Sequence, residues 1–226
     1  MKSDYTNLVI FDCDGTLVDS QHMIVSTMHH TFDQMGIEAV SDLAVRRIIG
    51  LSLEQAIGEL KPELSGHEVS EATALYKKSF YERKQAEGFQ PDPLFDGCIA
   101  AMENLTERGY LLAVATGNSQ RGMQRVIDQH NLHDFFISVQ TADFHPSKPH
   151  PSMIFTAISD AGSHVDQAVM IGDTRYDTVM AQNAGVKSIG VGWGYHGGQE
   201  LLDTGASHLM THYSELPDII EGLLQP

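Results

Sequence analysis

The stretch Leu8-Val9-Ile10-Phe11-Asp12-Cys13-Asp14-Gly15-Thr16-Leu17 decides how the rest of the chain is read. Four apolar residues in succession, two of them β-branched and one aromatic, predict a short buried strand. It stops at two carboxylates one residue apart, then a glycine and a hydroxyl. Asp12 and Asp14 cannot be buried unpaired, and two like charges this close raise the pKa of at least one unless a cation sits between them. Taken alone, the stretch is equally a strand end turning through an Asp-Gly loop with both acids in water. What later strands bring to the same edge decides between the two.

Downstream of Gln90-Pro91-Asp92-Pro93, a stiff and turn-prone linker, strands and helices alternate. Helices are expected over 97–108, 120–130, 152–161 and 177–184. Strands are expected over 110–116, 135–139, 168–171 and 188–191, with a short one at 208–210. Upstream, residues 17–90 read as helical throughout, with apolar periodicity over 21–35, 43–49, 54–60 and 68–85. Gly36 suits a helix end and Ser52 a helix start. Repeated βα units with apolar strands predict an α/β fold, a Rossmann-like parallel sheet flanked by helices. The expected division is a core of residues 1–17 and 91–226 and an inserted all-helical cap of residues 18–90. In such sheets ligands bind beyond the carboxyl ends of the strands.

Composition narrows the function. Thirty acids against fourteen lysines and arginines give a net charge of −16, which excludes the basic footprint of a nucleic-acid binder. A protein this acidic that handles an anion must create positive potential locally, with a metal, a lysine or helix N-termini. The two cysteines, Cys13 and Cys98, form no CxxC and are too few for a cysteine-rich zinc site. No apolar run approaches a membrane span and the first residues lack a signal-peptide pattern, so the expectation is a cytoplasmic protein with reduced thiols.

The polar residues at the strand ends carry the chemistry. The first strand supplies Asp12 and Asp14, the second Thr116-Gly117-Asn118-Ser119, and a later one Gly172-Asp173 followed by Asp177. Lys148 lies in the loop Ser147-Lys148-Pro149-His150-Pro151. Each has a plainer explanation: Thr116 to Asn118 as a helix cap, Lys148 as a solvated lysine, Asp173 and Asp177 as helix-start acids. Jointly they make one balanced site. Asp12 and Asp173 suit Mg²⁺, which takes one or two carboxylates and keeps waters and substrate phosphate, while Lys148 and Thr116 suit the remaining phosphoryl oxygens.

Asp12-Cys13-Asp14-Gly15-Thr16-Leu17-Val18-Asp19-Ser20 resembles the first motif of the haloacid dehalogenase superfamily phosphatases. Thr116, Lys148 and Gly172-Asp173 with Asp177 resemble the other three motifs, in order, and the helical insert is similar to that family's small cap. The tail Gly192-Trp193-Gly194-Tyr195-His196-Gly197 and Gly205-Ala206 add a likeness to its phosphoglycolate phosphatase group. The resemblance implies a Mg²⁺-dependent phosphatase acting on a small phosphorylated metabolite. Asp12 is then the nucleophile that forms an aspartyl-phosphate, and Asp14 the acid that protonates the leaving alcohol and later activates water. It also implies a metal held by Asp12, the Asp14 carbonyl and Asp173, with Asp177 in support. Lys148 and Thr116 stabilise the transferring group, helped by the amides of Gly117 and Asn118.

Departures from the family pattern sharpen this expectation. Asp14 sets the chain apart from the family's dehalogenases, which lack an acid there, and no cap lysine near Gly50 matches its phosphonate hydrolases. Leu53 stands where the family's sugar-phosphate mutases carry an arginine, with Arg46 and Arg47 earlier on the helix. The remaining alternatives are a pyrophosphatase, a sugar-phosphate mutase, or a non-catalytic phosphoryl-binding module. The expected assembly is a monomer or homodimer, with no nucleic-acid or membrane partner. Among weaker signals, the adjacent His29 and His30 point to different helix faces and chelate poorly. His145 and His150 flank Lys148 and read as site or solvent residues. Trp193 and Tyr195 read as core or cap contacts, and Met23, Met28 and Met35 as cap core.

Overall fold

The computed structural model describes residues 6–224. Its centre is a six-stranded parallel sheet in the order β3-β2-β1-β4-β5-β6. The strands are β1 (Leu8–Phe11), β2 (Leu111–Thr116), β3 (Phe136–Thr141), β4 (Ala168–Gly172), β5 (Lys187–Val191) and β6 (His208–Met210). The opening stretch is the central strand. Leu8 pairs with Leu111 on one side and Ala168 on the other, and all four residues are fully buried. Successive side chains leave a strand on opposite faces. Val9 and Phe11 accordingly enter one apolar cluster with Met102, Leu105, Met123 and Ile220, and Leu8 and Ile10 enter another with Met153, Ile154 and Met180.

Those faces are covered by α5 (Cys98–Glu107), α6 (Gln120–His130) and α10 (Leu216–Leu223) on one side, and α7 (Ser152–Ala161) and α8 (Arg175–Ala184) on the other. The sheet order reverses at β1, where the chain builds outward first through β2 and β3 and then through β4 to β6. Open parallel sheets bind ligands at such a reversal, outside the carboxyl ends. Asp12 follows β1 and Asp173 follows β4, so both acids arrive at this point.

Between β1 and α5 lie four helices, α1 (Gln21–Gln34), α2 (Asp42–Ile48), α3 (Leu53–Leu60) and α4 (Gly66–Gln85). They close around their own cluster, which includes Met28, Phe32, Val45, Ile57 and Tyr76. Serine caps start two of them: Ser41 accepts from Ala44 N, and Ser65 forms a capping box with Glu68. The chain leaves and re-enters the sheet side by side. Asp19 N donates to Pro93 O at 2.9 Å and Phe95 N to Leu17 O at 3.0 Å. A second junction joins α2 to α9 (Gly198–Asp203): Arg47 grips Glu200 through two hydrogen bonds of 3.1 and 2.8 Å. Buried His196 meets the Arg47 carbonyl through Nε2 at 3.1 Å and accepts from Arg175 N through Nδ1 at 3.2 Å.

Several boundaries differ from those expected. Strand β3 runs two residues further, because Gln140 and Thr141 pair with Ala115 and Thr116 although their side chains are polar. Helix α8 begins at Arg175 rather than Asp177, which becomes the third helical residue and completes a capping box with Thr174. Helices α9 and α10 were not expected. Among the described residues no helix is long and apolar enough to cross a membrane.

Candidate active site

Each sequence-predicted acid reaches the carboxyl edge of the sheet by continuing a strand. Asp12 N still donates to Ile171 O at 2.9 Å, so its backbone is held as part of the sheet. Its side chain is 1% exposed and lies 2.7 Å, Oδ1 to Nζ, from Lys148, which is itself fully buried. Lys148 is thus no surface lysine. Its ammonium also donates to Asp177 Oδ1 at 2.7 Å. Asp177 turns its other oxygen to Thr174, accepting from N at 3.1 Å and Oγ1 at 2.7 Å. The acid expected to support a metal therefore orients the lysine and caps its own helix.

Asp173 is equally enclosed. Oδ2 accepts from Tyr195 N at 2.8 Å and Oδ1 from Thr16 Oγ1 at 3.2 Å. Gly15, at φ +85°, and Gly194 close over it, and a Cβ on either would collide with the carboxylate. One carboxylate oxygen each from Asp12, Asp173 and Asp177 lies within 4.8 Å of the others. Three buried acids thus face one ammonium. Apart from the ion pair with Lys148, neither Asp12 oxygen has a hydrogen-bond partner among the described residues. Burial pushes the Asp12 carboxyl up to about 7, with Asp177 and Asp14 adding to the rise and Lys148 opposing it. Burial also raises Asp173 well above the ordinary range. Burial alone would pull Lys148 down, but Asp12 and Asp177 outweigh it and raise the ammonium. The cluster is short of positive charge, and its donors are all hard oxygens, so it can hold a divalent cation.

Asp14 stands apart from this cluster. Its Oδ1 accepts from Ser20 Oγ at 2.6 Å and its Oδ2 from Asn118 Nδ2 at 3.4 Å. Burial raises its carboxyl, against the Ser20 hydrogen bond and the more distant Lys84. Thr116 ends β2 with its Oγ1 accepting from Asn118 N at 3.1 Å. Above these residues lies a cavity of about 360 Å³, with Asp12, Asp14, Thr116, Gly117 and Asn118 on the sheet side. Lys148, Asp173 and Asp177 do not line it and sit behind Asp12. The opposite wall comes from the helical insert. Leu53 lines the cavity, whereas Arg46 and Arg47 do not.

Some residues were not found by sequence reasoning. Ser20 and Thr16 were inside the quoted motif but their hydroxyls had no assigned partner. Tyr195 contributes its backbone amide to Asp173, and its hydroxyl lies 3.4 Å from Ser20 Oγ. Arg121, Arg125 and Lys77 line the cavity with no motif to mark them. His145 instead bridges Ser152 Oγ and Gln140 Oε1, and His150 accepts from Ser152 N, both outside the cavity wall. Trp193 packs between Phe95 and Tyr213, with its Nε1 directed at Thr16 O.

This geometry accompanies a match of residues 9–191 to the family model described as haloacid dehalogenase-like hydrolase. The chain belongs to that family. It is 34% identical to "Probable phosphatase IndB" of Dickeya dadantii over 221 residues, covering 96% of this chain and 95% of that protein. It is 27% identical to "Pyrophosphatase PpaX" of Bacillus pumilus, covering 97% of this chain and 99% of that one. It is also 26% identical to "Phosphoglycolate phosphatase" of Vibrio vulnificus, with coverage of 97% and 98%. Among solved structures, a predicted phosphatase from Clostridium acetobutylicum superposes with a TM-score of 0.85 at 26% identity, over 97% of this chain and 100% of that one. Both the family expected from the first strand and the Rossmann-like core are thereby established.

Proposed function

We propose that this haloacid dehalogenase-like hydrolase is a Mg²⁺-dependent phosphatase of a small phosphorylated metabolite, working through an aspartyl-phosphate on Asp12. The observation that carries this reading is the pairing of two unlike carboxylates at one cavity. Asp12 is fixed by the sheet and Lys148, with its oxygens otherwise free of hydrogen bonds. Asp14 is raised in pKa and held by Ser20 and Asn118. One is suited to attack and the other to carry a proton.

Asp12 Oδ attacks phosphorus while Asp14, arriving protonated, gives its proton to the departing oxygen. Asp14 then takes a proton from the water that cleaves the acyl-phosphate. Thr116 Oγ1 and the amides of Gly117 and Asn118 donate hydrogen bonds to the phosphoryl oxygens. Lys148 favours the ionised form of Asp12 against burial and aims it, with Asp177 fixing the ammonium. The three-acid cluster fits Mg²⁺, which Asp12, the Asp14 carbonyl and Asp173 would hold, the last enclosed by Gly15 and Gly194. When bound, the ion supplies positive charge opposite the transferring oxygens. In this reading the helical insert is a cap whose wall selects the leaving group.

The test is phosphate release from a panel of phosphate esters and pyrophosphate, with and without Mg²⁺, for wild type, Asp12→Asn and Asp14→Asn. Mg²⁺-dependent release that falls by about 10²–10⁴ in Asp14→Asn and disappears in Asp12→Asn is the expected result. Release from pyrophosphate alone would move the reading to a pyrophosphatase. Movement of phosphate within a sugar without net release would move it to a mutase. Tight phosphate binding with no turnover would leave a binding module.

A further inference from the structure

The cavity lining carries a feature that phosphoryl transfer does not use. Arg121 and Arg125 are four residues apart on α6, so their side chains share a face. Like charges at that spacing repel, and a chain with 30 acids has many ways to neutralise them. Yet among the described residues neither arginine forms an ion pair. Asp143, also in the cavity lining, instead accepts from Gln120 N at 2.8 Å, and Asp128 is taken by Gln124 and His133.

Both guanidiniums lie over one ring, that of Tyr81 on α4. Arg121 Cζ is 4.2 Å from the ring centre and Arg125 Cζ 5.7 Å. Stacking holds a guanidinium by its face and leaves the in-plane N–H edge free for a carboxylate or phosphate, often in bidentate fashion. Lys77, one helical turn before Tyr81 and without an ion-pair partner among the described residues, lines the same cavity. Three cations that form no ion pair among the described residues therefore line the same cavity as Asp12 and Asp14. The same cavity is also lined by the apolar side chains of Ile24, Met28, Leu53, Ala56 and Phe80. The volume, about 360 Å³, lies within the roughly 300–1,000 Å³ of sites that enclose drug-sized ligands.

We infer that Arg121 and Arg125, stacked on Tyr81, form a second anion subsite, so that the substrate is a phosphomonoester whose leaving group has an apolar body and a distal carboxylate or phosphate. This deepens the phosphatase reading and rests on it. The arginines select rather than react, because they touch the far end of the substrate.

The test compares phenyl phosphate, 4-carboxyphenyl phosphate and 1,4-phenylene bisphosphate as substrates in Mg²⁺. The enzymes are wild type, Arg121→Gln/Arg125→Gln and Arg121→Lys/Arg125→Lys. Wild type is expected to favour at least one charged ester by roughly tenfold or more in kcat/KM, the scale of one charge-assisted pair. The double glutamine variant brings that ratio close to one, and the double lysine variant retains part of it. Which charged ester wins distinguishes a carboxylate from a phosphate. A wild-type ratio within twofold of one, or a ratio that survives the glutamine variant, overturns the subsite. If no ester turns over, the phosphatase reading fails separately. Calorimetric titration with phenylphosphonate and 4-carboxyphenylphosphonate then decides the subsite alone: an arginine-dependent preference for the second sustains it, and equal binding ends it.

Discussion

Changing Asp12 to asparagine keeps the shape of the proposed nucleophile and removes its charge, and the fold should become more stable above neutral pH even as the proposed chemistry is lost. An unfolded aspartate titrates near 3.8, and burial moves Asp12 to about 7. Because the folded value is the higher one, the native state holds the proton more tightly than the unfolded chain. The associated stability is complete below about pH 4 and is lost as pH rises through 7. At about 1.36 kcal/mol per pH unit, ionised Asp12 weakens the metal-free fold by about 4 kcal/mol, of which about 2–3 kcal/mol develops between pH 5 and pH 8. Asp173 is held up partly by the charge of Asp12, so its relief in the variant acts in the same direction. Lys148 loses one of two carboxylate partners, but it stays charged across this range and so shifts both pH values alike. Urea unfolding of wild type and Asp12→Asn in EDTA should therefore show the variant gaining about 2–3 kcal/mol relative to wild type from pH 5 to pH 8. That corresponds to roughly 5–10 °C in Tm for a chain of this size. Adding Mg²⁺ at pH 8 should raise wild type more than the variant. A stability difference that is the same at both pH values would refute the argument, since Asp12 would then carry no proton linkage.

Three further outcomes are expected. Lys148→Met leaves Asp12, Asp173 and Asp177 buried together. It should lower stability by about 3–5 kcal/mol at pH 7.5 in EDTA, with a smaller deficit at pH 5 where the acids take protons; a deficit independent of pH counts against it. Gly117→Ala puts a Cβ 2.5 Å from the carbonyl oxygens of Gly50 and Leu51, so the insert loop must shift. Urea unfolding should register about 1–3 kcal/mol, and no change would mean that loop is not held against the end of β2. Burial pulls His196 below its usual 6.5, so its stability is present above 6.5 and lost as pH falls through the folded value. His196→Gln should flatten the fall of Tm between pH 6.5 and pH 5, and parallel curves would exclude His196 as its source.

The apolar strands and the acids that end them were legible because both signals are local. Leu8 to Phe11 announce burial by composition, and Asp12, Asp14, Thr116 and Asp173 follow their strands directly. Lys148 was legible only through its motif, since nothing in a Pro-rich loop predicts an ammonium clasped by two acids. Asp177 was found, but its ion pair with Lys148 was not, because the two lie 29 positions apart and only folding joins them. Helix α9 has six residues, too few to display a period, and α10 carries Pro217 in its first turn, which obscures its start. Arg121 and Arg125 escaped notice for a related reason: an exposed arginine on a helix looks ordinary until the tyrosine beneath it is known.

The place of β1 at the middle of the sheet has a consequence for how the chain comes off the ribosome. Its partners are strands whose first residues are Leu111 and Ala168, so the earliest strand made waits longest for its neighbours. At about 5–20 residues per second, on the order of 10 s separates its synthesis from that of β4. The four helices of the insert emerge meanwhile and have local contacts with which to form, whereas the sheet must close long loops before any pairing is rewarded. During that interval Leu-Val-Ile-Phe is an unpaired apolar strand, the kind of segment that chaperones shield and that aggregates when they do not. Asp12, the proposed nucleophile, is thus attached to the part of the nascent chain most exposed to misassembly.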